Sequence, residues 1–278
     1  EKSDLARITG VDDGEETTVL DFGLKKGMNR GTFANVDLGL GNHSRYAERG
    51  MGAYFDDKNR LMMFGSANNV NDMGFPGGGR GRFGAGRQGL NAAKMLGFNY
   101  NYEKVKKIRI DLSAFWNHND GDAFTRSSSE NFVNATGAFS NSIRQNYSRS
   151  DSWNVQGRLE WQPDTMTNIM FRPTLSWSKS DGLTTSTSAS FNADPYLYSE
   201  SPLDDSELEE MSREGIVVNS QKSNSISYSN SKNLSGMLQV NRKLNTRGRS
   251  ITFGAGGGYG ESDSESMSLN ATRLWLKQ

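Results

Sequence analysis

The residues that could do chemistry are few and scattered. The two histidines, His43 and His118, lie in polar segments that read as loops, without metal-ligand spacing such as His-x-x-x-His, and both are expected to be solvated. No cysteine is present, which removes disulfides, thiolate nucleophiles and thiolate metal sites. Asp12-Asp13-Gly14-Glu15-Glu16 has the oxygen ligands of a hard-cation site, but the EF-hand pattern is absent and a solvated turn is expected. Gly77-Gly78-Gly79-Arg80-Gly81-Arg82 has the glycine density of a phosphate loop. No Lys-Ser/Thr follows it and no helical pattern opens after it, so it reads as a surface loop in which Arg80, Arg82 and Arg87 could attract an anion. No catalytic constellation stands out, and neither an enzymatic activity nor a cofactor or metal is expected.

Five charged residues do follow a pattern: Arg109, Asp111, Arg158, Glu160 and Arg172. Each alternates with apolar neighbours, the signature of a strand whose two faces meet different surroundings. Over Ser152–Trp177, Trp153, Val155, Gly157, Leu159 and Trp161 share one parity, and Asn154, Gln156, Arg158 and Glu160 the other. After a turn at Pro163–Asp164, Ile169, Phe171, Leu175 and Trp177 resume the apolar parity. Similar pairs are expected at 33–41 with 49–56, through Asp56–Asn59 into 60–68, at 96–102 with 108–116 across Glu103–Lys107, and at 233–243 with 249–260. A last run spans 266–276. About ten antiparallel strands result. Short turns alternate with long polar segments at 69–90, 118–150 and 179–232. Ser201–Glu214, with Leu203, Leu208 and Met211 near helical spacing, reads as a short helix inside the longest loop.

Composition taken alone argues against a membrane protein, an objection that holds for helical spans. The hydrophobic fraction is 34% and the formal net charge is zero, and the mean hydropathy is −0.71. No run approaches the roughly 20 apolar residues a helical span requires. A transmembrane barrel escapes that objection, because half of each strand faces a polar lumen and its outer loops are long. Scattered basic residues give no support for a nucleic-acid partner. Tryptophan adds an independent sign. Trp116, Trp153 and Trp177 are expected at the outer strand ends, and Trp161 and Trp275 at the inner ends, as two girdles at the membrane interfaces. Trp153 and Trp161 are eight residues apart, roughly 26 Å along a strand. On this topology the five charged residues face the lumen, pairing across strands, gripping a plug or lining a solute path.

The run Gly10–Gly27, with Val19–Lys26 close to the V-I-x-I-x-x-K-K form of a plug's last strand, followed by Gly31–Gly41, resembles the plug-to-barrel junction of TonB-dependent receptors. Gly65–Phe75, the Gly/Arg-rich Gly77–Arg87 and the segment from Ser150 to Thr165 resemble more closely the outer-membrane β-barrel family of Bacteroidetes related to those receptors. The resemblance implies a 22-stranded barrel, of which this chain would be an internal part. A barrel of that size at this loop density would need about 600 residues. The alternative is that the chain closes by itself as a small even-stranded barrel. Its start at Glu1, without Met or an apolar signal segment, reads as either a mature product or a fragment.

Residues 1–28 are thus expected to end a plug, and residues 29–278 to form a barrel segment with extracellular loops at 69–90, 118–150 and 179–232. The fold class is an all-β antiparallel transmembrane barrel in the outer membrane. The implied function is nutrient uptake, with outer-membrane lipid as a partner and, through the full-length protein, TonB and a surface lipoprotein. Two rivals stay open: a non-transporting outer-membrane barrel that anchors or displays a partner, and a soluble β-rich adhesin or binding domain.

Overall fold

The computed structural model describes residues 30–70, 90–105, 107–133, 136–245 and 249–275. The expected plug end at 1–28, the acidic run at 12–16 and the Gly/Arg-rich segment at 77–87 lie outside these residues.

Nine strands form one antiparallel sheet in sequence order, β1 beside β2 and so on to β9. They are β1 (Gly31–Gly41), β2 (Arg45–Phe55), β3 (Asn59–Asn68), β4 (Leu90–Lys104), β5 (Ile108–Glu130), β6 (Phe139–Trp161), β7 (Thr167–Phe191), β8 (Val217–Lys243) and β9 (Ser250–Leu274). The sheet is not closed: β1 and β9 are its two edges. Because each strand reverses the last, the connections alternate between two ends. Those at 56–58, 105–107, 162–166 and 244–249 share the turn end; those at 42–44, 69–89, 131–138 and 192–216 share the loop end.

The turn end is closed by local chemistry. Asp56 Oδ1 accepts from the backbone N–H groups of Lys58 (2.8 Å) and Asn59 (2.7 Å), and these bonds hold its carboxyl far below the usual range. Asp164 repeats the device, accepting from Met166 N–H at 2.7 Å and Thr167 Oγ1 at 3.0 Å. A short aspartate that satisfies the turn's own donors fixes a tight connection.

Three expectations are corrected. The segments 118–150 and 179–232 are not long loops: β5 continues to Glu130, β6 starts at Phe139, β7 reaches Phe191 and β8 starts at Val217. Their polar composition belongs to strands whose two faces are both largely hydrophilic, which removes the apolar alternation by which a strand is recognised. The runs 249–260 and 266–276 are one strand, β9, so the strands number nine. Trp275 therefore lies at the loop end, opposite to the inner end expected of it.

The expected helix is present as α1 (Asp205–Arg213). Its Leu208 and Met211, with Leu203, Ile216 and Val217, pack on Ala189 and Phe191, with Phe139, Ile143 and Trp275 at the edge. This cap at the loop end is the hydrophobic cluster among the described residues; nothing in them covers the rest of the sheet.

Candidate functional site: a two-faced sheet with an outward apolar belt

The register places Val36, Gly50, Gly65, Leu96, Trp116, Trp153, Trp177, Lys232 and Glu261 in one row across all nine strands. A second row toward the turn end joins Lys104, Ile108, Trp161, Ile169, Val240 and Phe253. Directly opposed residues point to the same face. Between the two rows, that face carries no charged side chain on any strand. It holds Ala34 on β1, Leu61 and Met63 on β3, Phe98 and Tyr100 on β4, Ile110 and Leu112 on β5, and Val155 and Leu159 on β6. Phe171 and Leu175 on β7, Leu234 and Leu238 on β8 and Tyr259 on β9 continue it. Trp116, Trp153 and Trp177 are neighbours in their row, with the Trp116 and Trp153 rings 6.0 Å apart. They sit within their strands rather than at the ends, where the face changes from apolar to charged. Trp161 lies in the base row. Trp275 belongs to neither row; its Nε1–H donates to Ser220 Oγ at 2.9 Å beside the α1 cap, and the Arg273 guanidinium lies 3.7 Å from its ring centroid.

The opposite face of the same span is polar and brings the five expected residues together. Arg109, Glu160 and Met170 are register partners, as are Asp111 and Arg158. Arg109 Nε meets Asp111 Oδ2 at 3.0 Å, and Asn101 Nδ2–H donates to Asp111 Oδ1 at 2.8 Å. Arg158 Nη2 lies 3.3 Å from Glu160 Oε2, and Asn168 Nδ2–H donates to Glu160 Oε1 at 3.1 Å. Arg172 shares this face, opposite Met237 on β8. The two ion pairs lie along β5 and along β6, and Asn101 on β4 and Asn168 on β7 bond to them from the neighbouring strands, the kind of pairing that lowers the cost of burying charge.

At two positions, on β6 and β7, the polar face is the more buried one. Glu160 is 3% exposed while the next residue, Trp161, is 48% exposed; Met170 is 3% and Phe171 40% exposed. Elsewhere on the polar face Asn154, Gln156 and Thr174 are exposed, and on the apolar face Val155 and Leu159 are half-buried; among the described residues no layer covers either face there. A soluble β-sandwich buries its apolar face instead.

Past the tryptophan row, both faces change. On the outward parity, His118 Nδ1 meets Asp151 Oδ1 at 2.7 Å and Nε2 meets Asp120 Oδ2 at 3.0 Å, with Arg149 Nε 3.6 Å from Asp120 Oδ1. His118 is therefore buried in an ion-pair cluster on β5, contrary to its expected solvation, whereas His43 does lie in the β1–β2 turn. Burial opposes charge on the His118 imidazole, but the Asp120 and Asp151 carboxylates outweigh it and raise its pKa above the ordinary value. Two acceptor-only carboxylates, one on each ring nitrogen, demand that both nitrogens donate. Still farther out, an open groove of about 760 Å³ is lined by Leu90, Tyr147, Leu183 and Ile226 beneath the charged Asp120–Arg149 row.

On the inward parity of β5–β9, every register position past the row is Ser, Thr, Asn, Gln, Gly or Ala, except Arg144 and Leu274. Asn117, Ser152, Ser178, Ser231 and Ser262 form the first of these rows, and Asn119, Ser150, Ser180, Ser229 and Ser264 the second. The result is a broad hydroxyl and amide wall, nearly free of charge. Sequence reading missed it because small polar residues in series carry loop signals.

No protein-family model matches the chain, and a search of curated proteins finds no match.

Proposed function

We propose that this chain is part of an outer-membrane β-barrel, with the apolar belt in lipid and the polar face around a water-filled lumen. The observation that carries this reading is the two-faced register. One face holds an uncharged band across nine strands. The opposite face of β5 and β6 holds the Arg109–Asp111 and Arg158–Glu160 ion pairs, with Glu160 buried though no layer among the described residues covers it. The height of the band supports it as well. Eight residues separate Trp153 from Trp161, roughly 26 Å along a strand and close to the apolar height of such barrels. The lengths of β1–β3, 11, 11 and 10 residues, suit single crossings. β5–β9, at 23 to 27 residues, would rise past the bilayer at the loop end and hold the hydroxyl wall toward the lumen's mouth. The backbone edges of β1 and β9 need partner strands, since hydrocarbon supplies no hydrogen bonds.

The activity that best suits this arrangement, with the resemblance of Val19–Lys26 and Gly65–Phe75 to TonB-dependent receptors, is nutrient uptake by a receptor of that kind. The test is deletion of the full-length gene. Loss of growth on one scarce nutrient, reproduced by loss of TonB, supports import. Unchanged uptake, with the protein still in the outer membrane and shifting on heating in a gel, would favour a barrel that only displays a partner. Recovery from the aqueous fraction would sink the barrel reading and leave a soluble β-rich adhesin.

A further inference from the structure

Resting on the membrane reading above, we propose that the lysines at and just past the tryptophan row bind the phosphate groups of anionic lipid headgroups in the leaflet at the loop end. Lys94 and Lys179 stand on β4 and β7 one outward-facing step beyond Leu96 and Trp177, and Lys232 lies in the row itself beside Trp177. His118, between them on β5, is buried with both ring nitrogens on carboxylates and takes no headgroup. All share the parity of the apolar belt. Across β4–β8 one acid, Asp151, interrupts these two rows, and it is tied to the His118 ring at 2.7 Å. One step farther, Asp120 is held by His118 and Arg149, and Asp181 lies 3.8 Å from Lys179. Glu261, Asp263 and Glu265 are all on β9, so the positive run is confined to β4–β8.

Position and charge together choose the occupant. Outward-facing steps are about 6.6 Å apart along a strand, and a lysine ammonium reaches back along its stem over a similar length. The cations thus lie at the level where an indole leaves hydrocarbon for headgroups. Lys94 and Lys179 are three strands apart, roughly 14 Å, which suits separate headgroups rather than one compact anion. Any partner must also present uncharged apolar matter to the whole belt below and negative charge directly above it. A lipid leaflet with phosphate headgroups does both; a protein surface would have to follow the belt across all nine strands.

The test uses the full-length protein in vesicles containing lipid with brominated chains, carried either by phosphatidylglycerol or by phosphatidylcholine, with tryptophan quenching as the readout. Expected is stronger quenching by the anionic lipid at equal mole fraction, with a preference of roughly five-fold or more, the attraction of one or more lysines to an anionic surface. K94Q/K179Q/K232Q should bring the preference close to one, and K94R/K179R/K232R should keep it. Equal quenching by the two lipids in the unaltered protein overturns the proposal, as does a preference that survives the glutamine variant. If neither lipid quenches, the membrane reading falls along with it, and so the two failures are distinguishable.

Discussion

Placing one arginine at mid-belt separates a lipid-facing sheet from a water-facing one. Leu112 lies four residues from Trp116 and four from Ile108, about 13 Å along the strand from each boundary row, and it is 38% exposed. If its surroundings are hydrocarbon, Leu112→Arg should cost about 2–4 kcal/mol, which lowers the folding constant roughly 30- to 900-fold. Ile108→Arg, in the base row beside Lys104, should cost only about 0–1 kcal/mol, since depth sets the penalty. In water, a partly exposed leucine on a two-faced sheet would tolerate the same change within about 0.5 kcal/mol. The assay is reversible denaturant unfolding of the full-length protein in lipid vesicles, comparing midpoints at constant slope. The reasoning is refuted if both arginines cost less than about 0.5 kcal/mol, or if the base-row change costs as much as the central one.

Other outcomes follow from the polar side, the extension and the edges. Glu160→Ala removes the buried partner of Arg158 and Asn168 and should cost about 3–5 kcal/mol, against almost nothing for Glu103→Ala; the same unfolding assay reads both. His118 has a raised pKa in the fold, so its ion pairs should stabilise the base of the extension fully below about pH 6.5, the unfolded value, and fade as pH climbs through the raised one. Protease resistance of β5–β6 should accordingly fall on the alkaline side, and His118→Gln should flatten the profile. Leu208→Ala, at a residue 1% exposed in the cap, should lower local stability by about 2–5 kcal/mol. Cleavage within 192–216 should then rise while the unfolding midpoint of the sheet stays. Residues 1–278 expressed alone should not refold in detergent as a sealed, heat-resistant monomer, and a compact protease-resistant species of nine strands would contradict the open-edge argument.

Much of the sheet was legible because its two faces carry opposite residue types at successive positions. Trp153 to Trp161 and Ile169 to Trp177 could be assigned faces from parity alone, and the register pairs them as expected. The same logic put Arg109, Asp111, Arg158, Glu160 and Arg172 on one face, where the first four form two ion pairs, Arg109–Asp111 and Arg158–Glu160. It failed where that contrast vanishes. Beyond Trp116 the outward positions are His118 and Asp120 and the inward ones Asn117 and Asn119, so both faces are polar and the strand reads as loop. β9 was divided because Gly254 to Gly260 is glycine-rich and Glu261 to Ser266 wholly polar, and with the strand split, Trp275 was assigned to the wrong end. His118 looked solvated since its partner Asp151 is 33 residues away and only the β5–β6 register brings them together. Pro173 sits inside β7, where its missing N–H weakens the ladder. Gly157 opposite leaves room for the ring, as a Cβ there would lie 3.0 Å from Pro173 Cγ.

The absence of cysteine permits the most direct test of the two-faced wall. Single cysteines at Val155, Leu159, Phe171 and Leu175, and at Asn154, Gln156 and Thr174, would be placed in the full-length protein in intact outer membranes. Each is then exposed to a water-soluble maleimide and, separately, to a lipid-phase collision probe. The first set should resist the maleimide and meet the lipid probe, and the second set should do the reverse, so that reactivity alternates from residue to residue along β6. Equal maleimide labelling of both sets, or outward positions that never meet the lipid probe, would contradict a lipid-facing belt.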